Sequence, residues 1–283
     1  MKLFKNATIY KISKFNTDGL EQVFKPFSGK ELEPQQPYMI GFSELTLGNT
    51  VTSIGHNHFF SVKIQKKILP KKVINRLVKE KMQRDNLPRS AKEKVEQDIY
   101  CELAPKALID IKEVGAYIDS KNGLLVIDSA SASELDCIVH LLFIAIPDLK
   151  EVKPVEITTP ENITCLLAAF ANDPDHIFGG FNWLGSATLA ETVDKGKVKA
   201  NLAPDESIEA ILDNGWIAES IGLYKDQEIV FTLTPKSFKS IKFDPAIIGE
   251  AIGESETKED KDMAGLFLMV NSFNELFKSW EII

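Results

Sequence analysis

Residues 60–105 read FSVKIQKKILPKKVINRLVKEKMQRDNLPRSAKEKVEQDIYCELAP, and the change of period inside this stretch decides how the chain is organised. Phe60, Val62 and Ile64 alternate with Ser61, Lys63 and Gln65, the period-2 pattern of a half-buried strand. After Ile68-Leu69-Pro70 the apolar residues Val73, Ile74, Leu77, Val78 and Met82 recur at helical spacing. Pro70 suits a first helical position, where its missing N–H costs nothing, and Ile68 is placed to pack on Val73 as a hydrophobic staple. Asn86-Leu87-Pro88 reads as a turn. Ser90 and Glu93 then have capping-box spacing ahead of Val95, Ile99 and Leu103, and Pro105 stops the second helix. A strand thus feeds a helical hairpin that projects as an arm.

The arm is strongly basic. Twelve Lys or Arg residues stand between Lys63 and Lys94 against three acids, Glu80, Asp85 and Glu93, a net +9 in a chain whose total is −8. The remaining 251 residues carry −17, so the body of the protein has no general attraction for polyanions. A solvated helix face is the bland reading of such a run. Against it stand Lys71 and Lys72 in the first turn of the helix, where the macrodipole is positive and a cation costs about 0.3–1 kcal/mol. Free N–H groups, a positive dipole end and ammonium groups together make a phosphate site. The candidate phosphate-contacting residues are Lys63, Lys66, Lys67, Lys71, Lys72, Arg76, Lys79 and Arg84, with Lys197 and Lys199 added from the alternating Lys195, Lys197, Lys199 strand. Lys236, Lys239 and Lys242 form a weaker cluster, and edge lysines also keep strands from aggregating.

Outward from the arm, the chain reads as α+β with mixed sheets. Leu3–Ile12 is a strand and Asp18 caps a short helix with Leu20, Val23, Phe24 and Phe27. Tyr38–Leu45 and Val51–Ile64 are strands, the latter turning at His56-Asn57-His58. Val114–Ile118 and Leu124–Asp128 flank Asn122-Gly123, a hairpin signal, and a helix from Ser133 ends at Pro147. Residues 1–64 with 105–152 form a central α+β domain, 65–104 the arm, and 153–283 a second α+β domain. In the last unit Thr159-Pro160-Glu161 opens a helix, Asn214-Gly215 closes another, and three strands make a meander from Trp216 to Phe243. Residues 250–262 read as an acidic linker, Leu266–Val270 as a strand, and the end as a helix capped by Ser272.

Chemistry beyond binding finds little support. His56 and His58 have no Cys, Asp or Glu cluster to close a ligand set, Gly179-Gly180 lacks a following Gly-Lys-Ser/Thr, and no serine sits in a G-x-S-x-G frame. The reading is of a protein that is not an enzyme and uses no cofactor, metal or catalytic residue. No apolar run reaches the roughly 18 residues of a transmembrane helix and no signal-peptide core follows Met1, which implies a cytoplasmic protein without a membrane partner. Cys101, Cys137 and Cys165 lie far apart on helical patterns and read as reduced thiols inside a core.

Several stretches carry a family resemblance. Phe4-Lys5-Asn6 with Tyr10, Lys67-Ile68-Leu69-Pro70, Leu103-Ala104-Pro105-Lys106-Ala107, Ile118 to Leu124 through Asp128-Ser129-Ala130-Ser131-Ala132, Gly196-Lys197-Val198 and Phe238 to Phe243 resemble, in this order, the recombination-associated RdgC family of bacteria. The resemblance implies horseshoe-shaped subunits that close at both ends into a ring-forming homodimer around double-stranded DNA. It further implies basic side chains lining the hole, nucleoid association, binding without sequence preference, and indirect restraint of RecA. Leu108 departs from the family, which carries Phe in a Pro-Arg-Ala-Phe stretch, and residues 26–44 and 250–262 match poorly. Two other classes stay open: a protein-interaction regulator of a recombinase without intrinsic DNA binding, and a metal-dependent nuclease, which would need clustered carboxylates.

Overall fold

The computed structural model describes residues 2–45, 49–173, 175–191, 197–201, 206–253 and 257–283. Its strands are β1 (Ala7–Ile12), β2 (Tyr38–Ser43), β3 (Val51–Ile54), β4 (Asn57–Lys67), β5 (Ile109–Asp119), β6 (Leu124–Ile127), β7 (Val152–Pro154), β8 (Asn182–Glu191), β9 (Lys197–Asn201), β10 (Trp216–Lys225), β11 (Ile229–Thr234) and β12 (Ser237–Phe243). They form one sheet in the order β2-β4-β5-β6-β1-β12-β11-β10-β8-β9, with β3 added to β4 and β7 to β1. Every pairing between these strands is antiparallel. The helices are α1 (Leu20–Phe24), α2 (Lys71–Arg84), α3 (Lys92–Leu103), α4 (Ala132–Ala145), α5 (Pro160–Asn172), α6 (Glu206–Asp213), α7 (Pro245–Ile252) and α8 (Lys258–Ser279).

Side-chain alternation along the central strands builds two cores, one on each face. Ile9, Phe59, Tyr117, Leu124 and Val126 enter one core together with Leu167 and Phe170 of α5 and Met269, Phe273 and Phe277 of α8. Their neighbours Phe60, Val62, Ala116, Ile118, Leu125 and Ile127 enter the other, against α1 and α4. β6, Leu-Leu-Val-Ile, is buried on both faces, which is why it is a continuous apolar run rather than an alternating one. The sheet passes without a break from β1 to β12 at Ala7↔Phe238 and Thr8↔Ser237, while the far half of β1 pairs β7. One core therefore draws residues from both sides of position 152. On the other face Phe24 stacks on Phe42 with centroids 3.9 Å apart. Gly41 is required beside them, because a Cβ there would lie 2.5 Å from the Gly29 nitrogen.

Helices α2 and α3 sit between β4 and β5 and have their own small core of Ile74, Val78, Val95 and Ile99. Several local expectations change. Pro70 is the N-cap of α2, in extended backbone, and not its first helical residue. Ile68 and Val73 are both exposed, so no staple buries them. α3 begins after a 3-10 turn at Arg89–Ala91 with Ala91 as N-cap, so Ser90 and Glu93 make no capping box. Gly19 with φ 79°, not Asp18, precedes α1.

The largest correction is at the C-terminus. The expected strand over Leu266–Val270 is part of the 22-residue helix α8, and Ser272 lies in its middle. Leu266, Met269, Val270, Phe273, Leu276 and Phe277 are its buried face, spaced three and four apart. Thr257 caps it by accepting a hydrogen bond from the Asp260 N–H at 3.1 Å. The acidic residues Glu259 and Asp260, expected in a linker, stand in its first turn, where the dipole favours them. The cysteines are also corrected: all are free, but Cys101 and Cys165 are exposed and Cys137 is only partly covered. Helical periodicity placed them on helices without saying which side faced water.

Candidate nucleic-acid interface

β4 delivers the chain into α2 and α3 returns it to β5, so both helices are rooted on one two-stranded ladder of eleven residue pairs, Asn57↔Asp119 to Lys67↔Ile109. Apolar positions Ile74 and Val78 of α2 face Val95 and Ile99 of α3. That leaves Lys71, Lys72, Arg76, Lys79 and Arg84 exposed. No acidic side chain stands in the first turn of α2, and no side chain caps it. The unfavourable placement of Lys71 and Lys72 is therefore real, with nothing local to offset it. A cleft of about 520 Å³ between the two helices is bordered by Lys79 and Lys92 together with Asn75, Gln83 and Asn86.

Carboxylates answer few of these cations. Arg76 approaches Glu80 at 3.7 Å and Arg84 bonds Asp85 at 2.8 Å, both at the surface. The hydrogen bond to Asp85 raises the Arg84 guanidinium above its ordinary value, and the same bond lowers the Asp85 carboxyl. Among the described residues Lys63, Lys66, Lys71, Lys72 and Lys79 have no ion pair. Lys66 is exposed at the end of β4, and Lys63 is half-buried further along the strand, opposite Glu113.

Lys67 is corrected. It is 7% exposed, and its Nζ donates to the Ala104 carbonyl at 2.7 Å and to the Pro34 carbonyl. A side chain committed in this way is not a free phosphate contact. Lys197 and Lys199 lie on β9, paired with Ala190 and Thr188 of β8; their side chains, and Lys195 altogether, fall outside the described residues.

Lys67 also joins stretches of the chain that are far apart in sequence. The Lys67-to-Pro70 and Leu103-to-Ala107 segments meet at the root of the helices, where the Ile68 N–H additionally donates to Leu108 O at 2.8 Å. Likewise the Lys5 and Asn6 N–H groups donate to Asp128 Oδ1 at 2.9 and 2.8 Å, and Thr8 Oγ1 donates to Ser129 O at 2.6 Å. These motifs are joints of the fold. Among the described residues no group of three or more His, Cys, Asp or Glu is arranged to hold a metal ion, and no helix is long and apolar enough to cross a membrane.

Residues 2–281 match the family described as "Putative exonuclease, RdgC". Proteins named recombination-associated protein RdgC align along most of the chain. That of Shewanella frigidimarina is 26% identical over 302 residues, covering 97% of each chain. That of Shewanella loihica is 25% identical over 256 residues, covering 85% of this chain and 83% of its own. That of Salmonella paratyphi B is 25% identical over 266 residues, covering 86% and 84%. The chain belongs to the RdgC family. These relatives are named for recombination and not for an enzymatic activity.

Proposed function

We propose that this protein binds double-stranded DNA through its phosphates, without sequence preference and without cleaving it, as a homodimer that encloses the duplex. The observation that carries the reading is the α2 start: two exposed lysines at the positive end of a helix dipole, without an acid in that turn. This arrangement lowers helix stability and suits a polyanion. In its family context the bound state would act in recombination by limiting the access of RecA to DNA. A titration by fluorescence anisotropy tests the reading. If about 4–8 phosphates are neutralised, log K falls against log salt with a slope of about −4 to −7, and unrelated duplexes bind alike. Linear end-labelled duplex kept with the protein and Mg²⁺ or Mn²⁺ stays full length. Shortening of that duplex from its ends would favour the exonuclease description, and a shallow slope would favour a protein-interaction regulator.

An unpaired sheet edge supports the dimer. β5 pairs β4 along its whole length, but β6 covers only Ala116–Asp119 of its other side. Ile109 and Ile111 are 42% and 54% exposed on the open part, next to Leu108 at 76%. An open edge with exposed Ile is a template for another strand. A second copy laid antiparallel about Ile111 would set Ile111 against its own counterpart; Lys112, which would face Asp110 of that copy, already bonds Glu134 Oε1 at 2.6 Å, so backbone pairing and apolar contact carry the joint. The change Ile111→Lys places like charges on the axis and leaves the buried residues of each subunit untouched. Light scattering should show the wild type as a dimer at micromolar concentration and this variant shifted to monomer. A wild-type monomer would overturn the ring.

A further inference from the structure

The cleft of about 520 Å³ between α2 and α3 differs in chemistry from the lysine face beside it. Asn75, Val78, Lys79, Met82, Gln83 and Asn86 recur three and four residues apart, so one stripe of α2 and its exit forms a wall. Leu87 and Lys92 complete the lining. Val78 is 2% exposed, and Met82 and Leu87 are half-buried against the same small core, which gives the cleft an apolar floor. Its closed end is a fixed turn. Asn86 stands at φ 49°, a left-handed conformation that Asn tolerates, and its N–H donates to Gln83 O at 3.3 Å. The Leu87 N–H donates to Met82 O at 3.0 Å.

Three side-chain amides border that floor, those of Asn75, Gln83 and Asn86. All three residues are exposed, and among the described residues no hydrogen bond occupies their amides. No carboxylate lines the cleft, and Asp85, on its turn, is held by Arg84 at 2.8 Å. Lys79 and Lys92 are exposed and among the described residues have no ion pair. A phosphate alone would leave the apolar floor unused, and a divalent cation would find no carboxylate. A nucleobase uses the whole lining. Its flat faces suit Val78, Met82 and Leu87, its edge meets amides that both donate and accept, and the phosphates on either side of it meet the two lysines.

A base inside a duplex is stacked and its pairing edge is taken, so only an unpaired base can enter. We propose that this cleft holds an unpaired nucleobase, and that the arm thereby binds single-stranded DNA adjoining a duplex through base contact as well as through phosphates. The proposal rests on the duplex-binding reading above. Lys79 belongs both to the cleft and to the exposed cations of α2, so the base site opens beside the phosphate contacts. Because an amide offers a donor and an acceptor together, the cleft selects an exposed base without selecting which base it is.

The test compares three DNAs built on one duplex: blunt, with a 3′ overhang of about six thymidines, and with an abasic overhang of the same length and the same phosphates. Wild type should bind the thymidine overhang about fivefold or more above the abasic one, the lower end of what one stacked base contributes. The salt slopes of these two should be equal, because the phosphates are equal in number. In Asn75→Ala/Gln83→Ala the preference should fall below about twofold, since each amide hydrogen bond to the base contributes about two- to twelvefold. Both positions are exposed on α2 and Ala suits a helix, so the variant should keep its fold and bind the blunt duplex as wild type does. Equal binding of the two overhangs by wild type, or a preference that the variant keeps, overturns the proposal. So does a cleft that only thymidine 5′-monophosphate occupies, read from the side-chain amide signals of Asn75, Gln83 and Asn86, while the thymidine overhang brings no gain. Failure of the wild type to bind the blunt duplex is a separate result, and it would remove the duplex-binding reading itself.

Discussion

Changing Lys71, Lys72 and Arg76 together to Gln should lower duplex affinity about a hundredfold at physiological salt and remove about three units from the salt slope. Each phosphate contact releases counterions in proportion to a slope of about 0.9, which at 0.15 M salt corresponds to about fivefold in affinity. Three contacts multiply to roughly that hundredfold if each side chain meets its own phosphate. The fold should survive, because the packing of α2 depends on Ile74 and Val78, which the variant keeps. Arg76 loses only a 3.7 Å surface pair with Glu80, worth about 0–1 kcal/mol. Relief of the two first-turn lysines offsets that loss by about 0.3–1 kcal/mol each. Affinity should therefore fall while the melting temperature stays level or rises. Unchanged affinity and slope, with circular dichroism of a folded protein, would reduce the whole basic stretch to a solvated surface.

The parts of this molecule legible in its sequence are those governed by neighbours along the chain. Phe60 and Val62 alternate into one core, and Phe59 enters the other, as period two requires. Asn122-Gly123 makes its turn, with Gly123 at φ 66°. Thr159 caps α5 by accepting a hydrogen bond from the Asn162 N–H at 3.3 Å. The failures have a common cause. Leu266-Phe-Leu-Met-Val270 is apolar without a break, and five residues cannot separate strand from helix. Only the longer series to Phe277 and the cap at Thr257, nine residues upstream of Leu266, reveal the helix. The pocket bordered by His56, Asp119, Lys121, Asn122, Asn274 and Lys278 joins three segments that no local pattern connects. Lys67 is the sharpest case. In sequence it is one cation among twelve; its acceptors lie 33 and 37 residues away, and burial alone distinguishes it.

That difference yields the last expected result. Lys67→Met should destabilise the protein by about 2–3 kcal/mol yet leave the salt slope of duplex binding as it is. Lys67 closes β4, and its Nζ ties the Pro34 carbonyl, on the loop that follows α1, to the Ala104 carbonyl at the exit of α3. Gln65 fastens the same loop by donating to Lys30 O at 2.6 Å, and the Lys67 N–H donates to Pro37 O at 3.0 Å. Methionine has similar length and no donor, so both carbonyls lose their ammonium partner. A hydrogen bond to a charged group contributes about 1.5–3 kcal/mol, and a buried acceptor left without a partner costs about 1–3 kcal/mol. Removing an ammonium from a buried position returns part of its desolvation cost, which is why the net loss stays below the sum. Urea unfolding measures that loss, and hydrogen exchange should quicken first where residues 30–37 and 104–108 meet the end of β4. The variants then separate cleanly: the triple change in α2 alters binding at constant stability, and Lys67→Met alters stability at constant slope. A Lys67→Met protein as stable as wild type but about one slope unit shallower would put Lys67 back among the phosphate contacts.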